Sequence, residues 1–498
     1  MDLNHFWDLR PLWIVLITPL AAGAILLSGK RPNLREAWTF LAAFLQLGLV
    51  LSMLPEVLAG KVFEVKVVSL ASGFDLQLRT DSLGMLFALV AAILWVVTAL
   101  YSVGYMRTLK EKHQTGFYAS FALCICAAMG LAFSANPLTF FVFYEVLTLA
   151  TYPLVVHKRT EKAIVTGRLY LAYTLSAGLA LLLATGWSHI LVPAADFVPG
   201  GFLHVSAGAK VSLVAIFVLF IAGVGVKAGI MPLHAWLPAA MIAPTPVSAL
   251  LHAVAVVKAG VFGVIRVCGY VFGMDTLRDL GVTLPLAALA GFTIITASVI
   301  ALTQDNLKRR LAYSTIGQLS YIVLGVTLLT EAGVTGSVMH IVNHAFMKIT
   351  LFFCAGAIYA HLHLENISEM KGIGRAMPWT MAAFAVASVG IAGIPPLPGF
   401  VSKWWLGMGT LQADQVVFLF VLVGSSLLSV IYFFPIVFAA YFQKNEAFPV
   451  RNEAPFALLA PPLFTAAASI VIGLFPDVGG SFWSLATDVT RALAGRGG

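Results

Sequence analysis

Lys227, Lys258, Lys348 and Lys403 each lie in a stretch apolar enough to be buried in lipid, as does one mid-stretch acid, Glu145 in FFVFYEVLTLATYPLV. An ammonium at the centre of a bilayer costs about 2.5–3.5 kcal/mol on insertion scales, and intramembrane charges of this kind mark ion paths and proton relays. Glu145 and Lys227 form the expected ion pair, with Thr148 and Tyr152 following the acid at i+3 and i+7 on the same helical face. In VMHIVNHAFMKITLFF, His340, His344 and Lys348 fall at i, i+4 and i+8 and make one narrow stripe. Two histidines at that spacing also suit zinc, the rival reading. The next position on the stripe is a lysine, and no acid or further histidine stands near in sequence. A hydrated proton relay is therefore preferred, and no metal is expected. His252 and Lys258 are six residues apart and face different ways, so His252 is expected to reach toward a neighbouring span. His234 sits at a span end.

The elements carrying two of the lysines are interrupted. GVGVKAGIMP is rich in glycine, and its Pro232 cannot donate a backbone hydrogen bond; GIAGIPPLPGFVSKWW places Pro395, Pro396 and Pro398 just ahead of Lys403. Non-helical backbone at membrane depth is tolerated only where protein covers it or a cavity borders it. Broken helices at corresponding places in two halves point to an ion path in an inverted-repeat transporter. The correspondence is positional only, because the second half has no acid equivalent to Glu145.

The whole chain fits that setting. It has 498 residues, 60% of them hydrophobic and 10% charged, where a soluble chain carries about 25% charged residues. The fold class is an all-α integral membrane protein. Windows of about 20 apolar residues occur fourteen times: 11–29, 38–59, 82–104, 116–135, 137–156, 166–188, 211–233, 245–271, 282–303, 311–330, 335–360, 378–407, 415–441 and 455–475. Seventeen Lys and Arg fall in alternate connections, including Lys30, Arg35, Arg107, Lys158 and Lys308 to Arg310, against nine on the other side, including Arg266 and Arg496. The basic side faces the cytoplasm, which places both termini outside it and makes the +8 net charge a topology signal rather than a nucleic-acid footprint. The expected units are 1–115 (spans 1–3), 116–273 (spans 4–8), 274–442 (spans 9–13) and 443–498 (span 14 and a tail). MDLNHFWDLR lacks the basic n-region of a removable signal. No soluble domain is expected, and the connection around 189–210 reads as an ordered extracytoplasmic loop. Cys124, Cys126, Cys268 and Cys354 are scattered through apolar runs and supply no iron–sulfur or haem ligand set, so no cofactor is expected.

Three segments, HAWLPAAMIAPTPVSALLHAVAVVKAGVF, DNLKRRLAYSTIGQLSYI and HIVNHAFMKITLFFCAGA, resemble the signature segments of one family. It comprises the antiporter-like membrane subunits of respiratory complex I, of Mrp-type Na⁺/H⁺ antiporters and of membrane-bound hydrogenases. The resemblance covers spans 3–13. It implies a fourteen-span fold with two inverted five-helix repeats, each holding a broken helix, in a bacterial inner membrane among other hydrophobic subunits. It also implies that Glu145 takes the fifth-span glutamate position, Lys227 the seventh-span lysine and Lys258 the central eighth-span lysine. His344 and Lys348 take the eleventh-span relay and Lys403 the twelfth-span exit; His340 and His252 are added as support by their place among these residues rather than by the resemblance. The implied activity is proton translocation, as the D-type subunit of a Mrp-type antiporter by the FYEVLTLATYPLV block and Lys403, or alternatively as a pumping subunit of a complex I-like NADH:quinone oxidoreductase or a hydrogenase. The chain departs from the family where many members read Leu-Pro-Asp-Ala-His and it has Leu237, Pro238, Ala239, Ala240 and Met241. Its ending SFWSLATDVTRALAGRGG lacks the lateral-helix extension of the largest complex I subunit. No cluster of acidic or hydroxyl oxygens identifies a sodium site.

Overall fold

A long apolar run in lipid can satisfy its backbone only as a helix. The computed structural model describes residues 7–71, 73–205, 210–445, 448, 450–478 and 481–495. Helices α1 (Arg10–Leu27) and α2 (Pro32–Leu58) are followed by a hairpin of β1 (Glu64–Ala71) and β2 (Phe74–Arg79). Then come α3 (Ser82–Thr108), α4 (Gln114–Ala132), α5 (Pro137–Val155), α6 (Glu161–Leu191), α7 (Lys210–Ala228) and α8 (Thr245–Phe272). The remaining helices longer than two turns are α9 (Thr283–Leu302), α10 (Leu307–Thr327), α11 (Glu331–Leu362), α12 (Pro378–Ala392), α13 (Pro398–Gln412), α14 (Val416–Phe442), α15 (Phe456–Leu474) and α16 (Phe482–Leu493). Twelve of them are long and apolar enough to cross a membrane; α10, α12, α13 and α16 fall outside that group. The chain is an integral multi-pass membrane protein.

Two expected interruptions are present, and the expectation of a purely α fold is corrected. The window 378–407 is two helices of 15 residues each, α12 and α13. Gly393 ends α12 at φ 83°, and the residue ahead of each following proline is disfavoured in the helical region. The window 211–233 is helical only to Ala228; the backbone leaves the helix at Gly229 and resumes as a single turn at Trp236–Ala239. The chain is also not purely α, because β1 pairs antiparallel with β2, Glu64 opposite Arg79. Arg79 bonds Asp196 (2.6 Å) and Glu64 (3.2 Å), so the hairpin clasps the 189–205 segment, whose Phe197 N donates to Ala135 O at 2.7 Å. Residues 206–209 of that connection, and Arg496 of the charge count, lie outside the described residues. Several helices also start earlier than their windows: Arg35 lies inside α2, Glu161 opens α6, and Lys308, Arg309 and Arg310 lie in the first turn of α10 behind the Asn306 cap.

Helix α8 is buried along its whole length and α11 over 332–358, although both are apolar enough to face lipid. The 32-residue α11 packs against α3, α8, α10, α12, α13 and α15. Polar groups on α8 and α11 are therefore screened from acyl chains by protein. At one end of α8, the buried Arg266 forms a bidentate pair with Asp81, which also caps α3 by accepting from Gly84 N at 2.8 Å.

Beyond the end of α5, His157 is 7% exposed, with its ring edge-on to Phe117 at 5.6 Å and Nε2 3.9 Å from Glu111 Oε2. Burial pushes its pKa down to about 4, and the charges of His113, Arg159 and Lys158 add to the shift. The unfolded chain then binds more protons than the folded one between about 6.5 and 4. Stability is fully present above pH 6.5 and declines as pH falls through that window. Thermal unfolding of the detergent-solubilised protein should show this slope, and His157→Gln should flatten it; an unchanged slope in the variant contradicts the assignment.

Candidate proton-relay site

Glu145 on α5 and Lys227 at the end of α7 do not pair as expected from sequence. Lys227, fully buried, donates from Nζ to Tyr144 O at 2.5 Å and stands over the Tyr144 ring, 3.5 Å from its centroid. The Glu145 carboxylate instead lies against Gly178 on α6, where a Cβ would collide with Oε1, and Oε1 has no hydrogen-bond partner among the described residues. Among those residues no Asp or Glu oxygen lies within 4.0 Å of Lys227, Lys258, Lys348 or Lys403. The ammonium is held by a carbonyl and a ring face, the weaker but available partners.

The break beside Lys227 is where α8 crosses. Gly260 lies against the backbone of Lys227 and Ala228, and a Cβ there would overlap Ala228 N. Trp236 holds the far side of the break, donating from Nε1 to Val226 O at 2.9 Å. Pro232 is exposed and His234 half-buried, its ring 6.4 Å from that of Tyr313. His234 thus stands at the break rather than in the buried line.

Two residues before Gly260, Lys258 Nζ is 2.8 Å from His344 Nδ1, joining α8 to α11. Upstream of Lys258 the helix widens into a π turn over Leu250–Val254 that contains His252, a distortion frequent at functional sites. The His252 ring packs 4.7 Å from Phe352 on α11, so it reaches toward that helix as expected. His344 and His340 are 5.9 Å apart, and His340 Nδ1 is 2.8 Å from Ser402 Oγ, one residue before Lys403. Both ring nitrogens of His252, and Nε2 of His340 and His344, are buried without a protein partner. Buried polar atoms of this kind are ordinarily satisfied by ordered water, and four imidazole nitrogens along one line call for a wet path.

Lys348 continues the stripe but bonds elsewhere, to Ser314 Oγ at 2.8 Å and Leu311 O at 3.5 Å on α10. Lys403, one turn into α13, donates to Ile391 O (2.7 Å), Ala392 O (3.2 Å) and Ser426 Oγ (3.0 Å), and stands 5.1 Å from the Tyr321 ring centroid. It thereby caps the open end of α12, whose last carbonyls have no intrahelical partners. Tyr144, Ser314, Tyr321, Ser402 and Ser426 were not foreseen in the sequence. For Ser314 and Tyr321 the signal was the polar spacing of α10, where Ser314, Gln318 and Tyr321 recur at i, i+4 and i+7.

This fold and site define a multi-pass membrane subunit of the antiporter type, with buried amines and imidazoles strung between broken helices. Residues 134–429, more than half of the chain, match the family described as NADH:quinone oxidoreductase/Mrp antiporter, TM, and the chain belongs to that family. It is 30% identical to NADH-quinone oxidoreductase subunit N of Desulforudis audaxviator over 81% of its own length and 83% of that protein. It is 31% identical to hydrogenase-4 component B of Escherichia coli, over 80% of this chain and 62% of the relative. With Na(+)/H(+) antiporter subunit A1 of Staphylococcus haemolyticus it shares 29% identity over 85% of this chain and 55% of the relative. The fold is that of a chain in the Mrp complex from Dietzia (TM-score 0.87, 21% identity, 98% of this chain and 97% of that one). It is also that of a chain in an archaeal membrane-bound sulfane sulfur reductase (TM-score 0.85, 22% identity, 98% of each chain). The chain is thus a proton-translocating, antiporter-like membrane subunit of the Mrp and complex I type.

Proposed function

We propose that the chain is the D-type subunit of a Mrp-type monovalent cation (Na⁺)/H⁺ antiporter, embedded in a bacterial inner membrane among other hydrophobic subunits. Both termini are extracytoplasmic. The twelve long helices, α10 and the α12–α13 pair make fourteen spans, of which 116–273 and 274–442 are inverted five-span repeats. Protons pass from the Glu145–Lys227 site through Lys258 and His252 to His344, His340 and Lys348, and leave by Lys403. The Lys258–His344 contact carries this reading, because it links the two repeats through fully buried groups.

The arrangement of Glu145 and Lys227 is the separated state of a switch. Separating a buried ammonium from its carboxylate costs roughly 4–7 kcal/mol, against about 2.3 kcal/mol per charge for a 100 mV membrane potential. A hinge at the α7 break that opens and closes the pair is therefore strong enough to drive a proton against the field. Glu145→Gln tests the switch in membrane vesicles holding the assembled complex. The variant should assemble normally, lose roughly tenfold in exchange rate and flatten the pH profile; a wild-type profile contradicts the switch.

A second reading, the pumping subunit of a complex I-like oxidoreductase or hydrogenase, is favoured by the identity with NADH-quinone oxidoreductase subunit N and hydrogenase-4 component B. Copurifying chains separate the two: small hydrophobic antiporter subunits for the first, iron–sulfur or nickel-binding subunits for the second.

A further inference from the structure

Lys348 ends the imidazole stripe, yet it turns away from His344 and from Lys403 toward the seam between α10 and α14. That seam carries two matched sets of polar residues at i, i+4 and i+7: Ser314, Gln318 and Tyr321 on α10, and Ser425, Ser429 and Tyr432 on α14. All six are at most 1% exposed. Lys348 Nζ donates to Ser314 Oγ (2.8 Å), Tyr432 OH donates to the same oxygen (3.1 Å), and Ser429 Oγ lies 3.0 Å from Tyr432 OH. At the other end, the Tyr321 hydroxyl faces Ser425 and Ser426, and Ser426 Oγ accepts from Lys403 Nζ at 3.0 Å. Ser429 Oγ donates to Ser425 O at 2.9 Å one turn back along α14, and Ser425 Oγ lies 2.9 Å from Ser298 Oγ; a single water bridging the Ser429 and Ser425 hydroxyls would join the two ends.

We propose that Ser314, Tyr432, Ser429, Ser425 and Ser426 are a hydroxyl relay carrying protons between Lys348 and Lys403, on a track separate from the His340–Ser402 contact. The relay rests on the proton-translocation reading above and supplies its last leg. With the Ser314 and Tyr432 hydroxyls turned to point away from Lys348, Lys348 Nζ gives a proton to Ser314 Oγ while the Ser314 hydrogen passes to Tyr432 and the Tyr432 hydrogen to Ser429. The Ser429 hydrogen passes through a bridging water, Ser425 and Ser426 to the neutral amine of Lys403, so that Lys348 ends neutral and Lys403 charged. One proton advances, every hydroxyl ends neutral, and nothing is oxidised or reduced. Rotation about the C–O bonds resets the chain, since hydroxyl hydrogens turn to suit their partners. A purely structural role is the competing account, in which these hydroxyls merely satisfy one another in a buried seam.

The test uses the full-length chain in its assembled complex, in inverted membrane vesicles, reading ΔpH-driven exchange in H₂O and D₂O. Tyr432→Phe and Ser429→Ala each remove one oxygen and little volume. Both should slow exchange at least about tenfold and enlarge the solvent isotope effect, while Ser429→Thr, which keeps the hydroxyl, stays within about twofold of wild type. Should Tyr432→Phe fail to assemble, Ser429→Ala and its Thr rescue decide alone. Wild-type exchange in the two oxygen-deleting variants, with Lys348→Ala inactive, overturns the relay and leaves the site reading standing. Exchange retained in Lys348→Ala overturns both.

Discussion

Lys227→Ala should lower coupled exchange by at least about 100-fold, the scale expected for deleting a positioned proton carrier, while the complex still assembles in normal yield. Assembly survives because the α7 break is held by other contacts. Trp236 Nε1 bonds Val226 O, and the α8 backbone packs on Ala228 at Gly260. The lysine itself makes one hydrogen bond, to Tyr144 O, and that carbonyl loses a partner rather than a scaffold. Lys227→Arg sharpens the test. A guanidinium keeps the positive charge and most of the bulk but does not release its proton. If Lys227 serves by giving up a proton, Lys227→Arg is as inactive as Lys227→Ala. If it serves only as a fixed charge beside Tyr144, Lys227→Arg retains exchange and the switch mechanism fails.

The line of titratable groups was largely legible in the sequence because each member violates the apolar pattern around it. His340, His344 and Lys348 could be placed on one stripe by period alone, and Lys258 could be placed in the middle of a span. What period does not supply is the partner across the helix interface. Glu145 and Lys227 are the obvious complementary charges, yet the missing Cβ of Gly178 opens a place for the carboxylate on α6, and Lys227 settles on Tyr144. Lys348 follows the histidines in sequence but takes Ser314 from the neighbouring helix. Both outcomes depend on which helices touch, information that one chain of residues holds only weakly.

The hairpin was missed for a different reason. FEVKVVSL and FDLQLRT alternate apolar and polar residues with Gly73 between them, a strand pattern of period two. A search for uninterrupted apolar windows passes over such alternation. The break in the twelfth window was legible by contrast, since Pro395, Pro396 and Pro398 interrupt the helix within a stretch of continuous hydropathy. Composition reports what lipid tolerates; backbone chemistry decides where a helix stops.

The central claim is that protons cross from one half of the chain to the other through Lys258 and His344. Those two groups lie 2.8 Å apart on buried stretches of α8 and α11, and among the described residues no carboxylate is close enough to substitute for either. Methionine at position 258 keeps an unbranched side chain of similar length in the same packed space and deletes only the amine. The measurement is ΔpH-driven exchange by the assembled Lys258→Met complex in membrane vesicles, normalised to the amount of complex. Exchange should fall at least about 100-fold with wild-type assembly; exchange near the wild-type rate would show that protons take another path.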